Sequence, residues 1–382
     1  MTDVLVIGDT FRCPELRHEI PLGVPDPFVY LEVGGARHVY VGSMEAARID
    51  GLGLDITVHP LEEIGADELR RQSLSPHAFK VECVARACVH AGLREAVVPH
   101  TFPAGHLDRI RREGIELTVD QRTFDDRRRV KSPFELDGIR RAQRAAEAGM
   151  RVAADMLAAA TQRNGVLALD GAELTVERVK RAVARVFEEH DCVADDFIVA
   201  PAAQGAMGHE MGHGPIRPGE TVVVDLWPRD RESTCFADMT RTFVVGEPSE
   251  RAREWHRVAD ETLRVATAMI RPGVEGRAVF DAVCDVVEAA GYPTMRTKSD
   301  GEVLADGFFH ALGHGVGLEV HENPLLGFVP DGELVAGDVI TLEPGVYESG
   351  VGGVRLEDLM LVTEDGCEVL TDFPYDLEVT SG

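Results

Sequence analysis

The chain has 382 residues, 44% hydrophobic and 27% charged, the balance of an ordinary globular protein with room for two domains and a sizeable core. A formal net charge of −27 argues against binding nucleic acid or an anionic membrane surface, and does not by itself name a substrate. Seven cysteines, scattered, odd in number and without a CxxC pair, speak against a disulfide framework or a thiolate zinc site and fit a reduced cytosol.

The first segment, Met1-Thr-Asp-Val-Leu-Val-Ile-Gly-Asp9, reads as an opening strand rather than a signal peptide. No apolar run approaches the ~18 residues of a membrane span, so a soluble, cytoplasmic protein is expected. Strand patterns follow at 4–7, 28–33, 38–41, 56–59, 95–99 and 115–119, with helix patterns at 67–72, 80–91 and 104–113. This is an α/β domain without a chemical motif, and its isolated histidines His38, His59 and His100 read as surface or structural. The charged run Asp125-Asp-Arg-Arg-Arg-Val-Lys131 reads as a solvated linker, dividing the chain into domains at 1–130 and 131–382.

Ser132, followed by Pro133 and Glu135, is a capped start for a long amphipathic helix to about residue 160; a second spans 174–189. Then comes an apolar strand ending on an acid, Thr221-Val-Val-Val-Asp225, and 13 residues later Asp238 in Ala237-Asp-Met-Thr-Arg241. The pattern then repeats. Ser249 opens a helix to Met269, Arg271-Pro-Gly273 stops it, and a further helix covers 275–290. Val339-Ile-Thr-Leu-Glu343 is again a strand ending on an acid, with Glu357 14 residues on in Arg355-Leu-Glu-Asp358. Residues 131–382 therefore read as α+β, two similar halves whose helices cover one side of a curved, largely antiparallel sheet.

Four acids converging from apolar strands need compensation, because burying an isolated carboxylate costs several kcal/mol. Arg241 and Arg355 lie nearby, yet two arginines leave an excess of negative charge. Two divalent ions would remove it. The stretch His310-Ala-Leu-Gly-His314-Gly-Val-Gly-Leu-Glu-Val-His321-Glu322 supplies neutral nitrogen donors, and His314 completes a set with Asp225, Asp238, Glu343 and Glu357. Such a set suits Mn, Co, Fe or Zn. Paired ions lower the pKa of a shared water and polarise a carbonyl, which points to hydrolysis.

Two motifs mislead. His209-Glu-Met-Gly-His213 matches HExxH, but Gly205, Gly208, Gly212, Gly214 and Pro215 forbid the helix that a zinc protease needs. A glycine-rich loop presenting His209 or His213 to the cleft is the better reading. Gly313-His-Gly-Val-Gly317 lacks the spacing of a nucleotide-binding loop.

At these residues the sequence resembles the pita-bread metallopeptidases, the group of aminopeptidase P, prolidase, methionine aminopeptidase and the metal-free creatinase. Asp225 matches the first aspartate and Asp238 the second, in Asp238-Met-Thr-Arg-Thr-Phe243. His314 matches the single histidine ligand of HxxGHxxGLxxHE, Glu343 the acid of Leu342-Glu-Pro-Gly-Val-Tyr347, and Glu357 the last bridging acid. His310 and the preceding α/β domain resemble the prolidase and aminopeptidase P branch. The resemblance implies two divalent ions per subunit (Mn first, with Co, Zn or Fe as alternatives), a homodimer, and removal of an N-terminal residue before proline from a peptide. It implies Glu343, His321 and His209 as catalytic groups, His310, His321 and His209 as substrate contacts, and Arg355 as a support for the acids. Counting back from Ile216 falls one residue from His209, which is preferred over His213. Trp227 stands where the family has glycine, and the Asp225–Asp238 spacing is two residues longer than in aminopeptidase P, which bears on substrate preference. A hydrolase of a small non-peptide C–N compound, a silent peptide-binding module and a metal-dependent phosphoesterase are the rival expectations.

Overall fold

The computed structural model describes residues 2–379, which divide into two compact units between Arg128 and Arg129. The first unit is built on a six-stranded mixed sheet in the spatial order Thr57–Pro60, Ala36–Val41, Phe28–Val33, Val4–Gly8, Glu95–Val98, Glu116–Val119. Val4–Gly8 pairs antiparallel with Phe28–Val33 and parallel with Glu95–Val98. Helices Ser43–Asp50, Pro76–His90 and Ala104–Arg111 supply the connections between strands that short turns cannot make.

One sequence expectation fails at the junction. The charged run is not a solvated linker: Gln121–Arg129 is helical, and the last basic residues of the run are buried. Arg129 forms two hydrogen bonds to Asp338, at 2.9 and 2.7 Å, and Lys131 pairs with Glu322. Asp338 is fully buried, so it requires a counter-charge that no solvated linker could provide.

In the second unit Ser132 caps helix Pro133–Ala158 as a capping box, accepting from the Glu135 amide while the Glu135 carboxylate accepts from the Ser132 amide. Its buried stripe, Ile139, Ala142, Ala146, Met150, Ala153 and Leu157, follows the helical period. It packs on helix Val176–Glu189 at Val179, Val183 and Phe187, close enough that a Cβ at Gly149 would lie 2.8 Å from the Phe187 ring. Helices Glu250–Met269, capped by Ser249, and Gly276–Ala289 repeat the arrangement around a second apolar cluster.

The sheets repeat as well. Thr221–Leu226 lies between Ile198–Pro201 and Met239–Val245, while Val339–Leu342 lies between Gly313–Gly315 and Asp358–Val362. A bridge between Thr240 and Glu357 joins the two sheets. Among the described residues no helix is long and apolar enough to cross a membrane.

Arg129→Met should lower the unfolding free energy by about 3–5 kcal/mol, because Asp338 is left as an uncompensated buried charge. Adding Asp338→Asn should recover part of the loss. Urea denaturation of the three chains decides this, and an unchanged midpoint for Arg129→Met would refute the pairing.

Candidate metal centre

The seam between the two sheets is where the acids meet. Asp225 sits opposite Thr240 in the first antiparallel pair, and Leu342 sits opposite Asp358 in the second. Asp238 and Glu357 each stand one residue before the returning strand, and Glu343 stands one residue after the outgoing one. Since side chains alternate along a strand, these end positions aim the carboxylates at one point while their apolar neighbours enter the two cores.

Donor atoms of Asp238, His314 and Glu357 all lie within 4.8 Å of one another, the spread expected around a single ion. Glu343 Oε1 is 3.5 Å and Asp238 Oδ2 3.8 Å from His314 Nε2. Asp225 completes the group, with Oδ2 held 2.5 Å from Arg355 Nη2. His314 donates from Nδ1 to the Gly315 carbonyl at 3.0 Å, which turns the free lone pair of Nε2 towards the acids.

The electrostatics are those of a site short of positive charge. Burial first, then repulsion from the other acids, holds Asp238 and Glu357 well above the ordinary carboxylate range, and burial pushes Glu343 up to about 8. Burial keeps His314 neutral, with its pKa lowered to about 3. The buried Oδ1 atoms of Asp225 and Asp238 have no hydrogen-bond partner. Unsatisfied carboxylate oxygens beside a neutral imidazole are the donor set of a hard or borderline divalent cation, so the residues fit such an ion.

Of the two arginines expected to help, only Arg355 faces the acids. Arg241 instead hydrogen-bonds Asp358 and the carbonyls of Glu357, Phe373 and Pro374 at 2.7–2.9 Å, tying the second sheet to the segment that follows it. Arg355 donates to Asp225, to Thr240 Oγ1 at 3.2 Å and to Tyr347 Oη at 3.0 Å.

Tyr347 and Thr240 were not singled out from the sequence, although both lie within the motifs quoted above. Thr240 Oγ1 donates to Glu357 Oε2 at 2.6 Å. Tyr347 receives Arg355 and lies 3.0 Å from His310 Nε2, while His310 Nδ1 lies 2.7 Å from the Ala311 carbonyl. Nδ1–H donates to Ala311, and the Tyr347 hydroxyl donates to Nε2. Both nitrogens of His310 are thus engaged, and burial lowers its pKa to about 3. What His310 offers the cleft is a neutral ring beside Phe309 and Tyr347. Hydroxyl aim depends on strand register, which is why motif reading passed over it.

His321 stands edge-on to His314, with ring centroids 4.2 Å apart, and its pKa is lowered by burial and then by nearby His209. His209 also bears on His310, so the loop brings it to the histidine group. His213 turns away: its side chain is 74% exposed and its backbone is pinned on Gln204. No helix forms across these residues. Gly212 has φ +83°, and a Cβ there would lie 1.9 Å from the Val199 carbonyl oxygen. Trp227 packs against the first apolar cluster.

A duplicated α+β scaffold carrying carboxylates and one histidine at its seam is the pita-bread metallopeptidase class. A family model, metallopeptidase family M24, matches residues 137–364, more than half of the chain, and the chain belongs to that family. It is similar to a Xaa-Pro dipeptidase of Pyrococcus furiosus, 35% identical over 185 residues, covering 48% of this chain and 49% of that one. The match thus spans about half the length of that relative. It is also similar to a Xaa-Pro dipeptidase of Pyrococcus horikoshii, 28% identical over 295 residues, 75% of each chain. Among solved structures, an X-Pro aminopeptidase from Thermotoga maritima shares the fold with a TM-score of 0.77 at 19% identity, over 99% of this chain and 98% of that one.

Without metal, the site should make stability depend on pH. Glu343 titrates near 8 when folded against 4.5 ordinarily, so between these values the folded chain holds more protons, and stability falls as pH rises. His310 and His314, at about 3 against 6.5, act in the opposite sense, but only below pH 6.5. The Tm of the metal-free protein should therefore fall between pH 6.5 and 8, and saturating Mn²⁺ should remove the slope. A metal-free profile that is flat over this range would contradict the buried acid cluster.

Proposed function

We propose that the protein is a metal-dependent peptidase that removes an N-terminal residue standing before proline. The observation that carries this reading is the cluster of Asp238, Glu357 and His314 at the seam, with Glu343 3.5 Å from His314, beside a neutral His310 bonded to Tyr347. The names of the two Pyrococcus relatives point to the same substrate class.

Asp225, Asp238, His314, Glu343 and Glu357 would hold two divalent ions, manganese first among them, which when bound activate water and polarise the scissile carbonyl. Glu343 would take a proton from water and pass it to the leaving nitrogen. His321 and His209 would donate hydrogen bonds to the substrate and to the oxyanion that develops on its carbonyl. The substrate's amine would be received on the Asp225 side. Phe309, His310 and Tyr347, with the Phe309 and Tyr347 ring centroids 4.9 Å apart, form an apolar wall suited to a pyrrolidine ring. Arg355 holds Asp225 and Tyr347 together and so keeps the acid cluster in register with that wall.

The test is cleavage of matched Xaa-Pro and Xaa-Pro-Xaa peptides by metal-free protein resupplied with Mn²⁺. Cutting only the dipeptide would define a dipeptidase, and cutting the longer peptide an aminopeptidase. Cutting neither, with metal shown to be bound, would overturn the peptide reading in favour of a small C–N compound as substrate.

Glu343→Ala should lower kcat by at least about 10³-fold, since it removes both a metal donor and the proton carrier. Substantial Mn²⁺-dependent turnover by this variant would disprove its assignment. Tyr347→Phe should reduce kcat/KM more for Xaa-Pro than for a substrate with alanine in the second position. Equal losses on both would detach Tyr347 from the proline wall.

A further inference from the structure

Beside His321 lies a buried ion pair for which the reaction has no direct use. Glu322, the next residue, points to Lys131, whose ammonium donates to Glu322 Oε1, and both side chains are only 2% exposed. Lys131 stands immediately before Ser132, the residue that caps helix Pro133–Ala158 through its capping box with Glu135. The ammonium is therefore carried on a fixed helix start.

The strand that begins at Glu322 needs such a pin. Gly313 pairs with Leu326 and His314 with Leu325, but Gly315 pairs with Glu322, so the register jumps past Asn323 and Pro324. Where pairing is irregular, a slip of one residue turns the neighbouring side chain to the other face. His321 has no hold of its own against this. Among the described residues no hydrogen bond engages its ring, which touches the edge of His314 with centroids 4.2 Å apart. Gly317 shows how tightly the pair is enclosed. A Cβ there would lie 2.6 Å from Glu322 Oε1 and 2.9 Å from Lys131 Cε, while the Gly317 carbonyl accepts from the Phe236 amide at 2.8 Å.

We propose that Lys131 is a positioning residue, which through Glu322 fixes the strand register beside the metal centre and with it the aim of His321. Buried ion pairs of this kind contribute specificity of register more than net stability. The kinetic effect rests on the peptidase reading above, whereas the structural effect does not.

The test compares the natural chain with Lys131→Met and with the charge-free double variant Lys131→Met, Glu322→Gln, each supplied with Mn²⁺. The double variant leaves no unpaired buried charge, so it carries the test even where Lys131→Met fails to fold. Its kcat on an Xaa-Pro peptide should fall about 10²-fold, the effect of a displacement of about 1 Å, with KM and Mn²⁺ stoichiometry held. In a His321→Gln background the same two substitutions should cost no further kcat, because the group they act through is gone. Unchanged kcat, or an equal further loss in the His321→Gln background, would overturn the proposal. Crystals of the double variant give a readout independent of turnover. The His321 ring should leave its edge-on place, and a ring still 4.2 Å from His314 would overturn the positioning role whatever the chain cuts. A displaced ring in a protein whose natural chain cuts no Xaa-Pro peptide would uphold that role and sink the peptidase reading alone.

Discussion

The second unit is arranged around one electrostatic constraint: three buried carboxylates and the partly buried Glu343 gathered about a single facing guanidinium. A pair of buried charges can balance itself, but four acids against Arg355 cannot. The chain reduces the conflict in two ways that need no metal. It protonates, since burial and mutual repulsion raise Asp238, Glu343 and Glu357. It also hydrogen-bonds, through Thr240 to Glu357 and through Arg355 to Asp225. Neither reaches the two Oδ1 atoms that remain unpartnered on Asp225 and Asp238. Divalent ions relieve both the repulsion and the missing bonds, and this is the physical content of a donor set that fits metal.

The duplicated scaffold brings these acids together at small cost to the cores. Each half has its own apolar cluster, filled by residues such as Val222 and Val224 on one side and Ile340 and Leu342 on the other. The carboxylates occupy strand ends or the positions just beyond them, where the chain leaves its apolar layer. The halves are not electrostatically equivalent. The first contributes Asp225 and Asp238, while the second contributes the longer Glu343 and Glu357 as well as His314 and Arg355. Arg241, which lies near the acids in sequence, serves the second half structurally by fastening Asp358 and the carbonyls after it.

What the sequence discloses follows from how local each signal is. The capped helix starts at Ser132 and Ser249, the apolar strands and the spacing of the acids are short-range patterns, and they were legible. The charged run before Ser132 was misread because its partners, Asp338 and Glu322, lie about 200 residues away and no local pattern reveals their burial. The glycines around His209 correctly excluded a helix, but the aim of that histidine rather than His213 depends on how the loop folds back over Val199. Tyr347 and Thr240 escaped notice because a hydroxyl beside an acid in sequence has no fixed direction until strand register gives it one.

A chain of contacts runs from Asp225 to His310 and joins the acid cluster to the aromatic group beside it. Arg355 donates to Asp225 with one nitrogen and to Tyr347 with another, and Tyr347 donates onward to His310. Because the guanidinium is planar, its two donors cannot be re-aimed independently. Moving Asp225 would draw on Arg355 and thence on the Tyr347 hydroxyl that bonds His310. A lysine at this position would supply charge but not the rigid fork, so the link would be lost even where the charge balance survived. Arg355 is therefore a spacer as well as a counter-ion: it sets the distance between Asp225 and the Tyr347 hydroxyl.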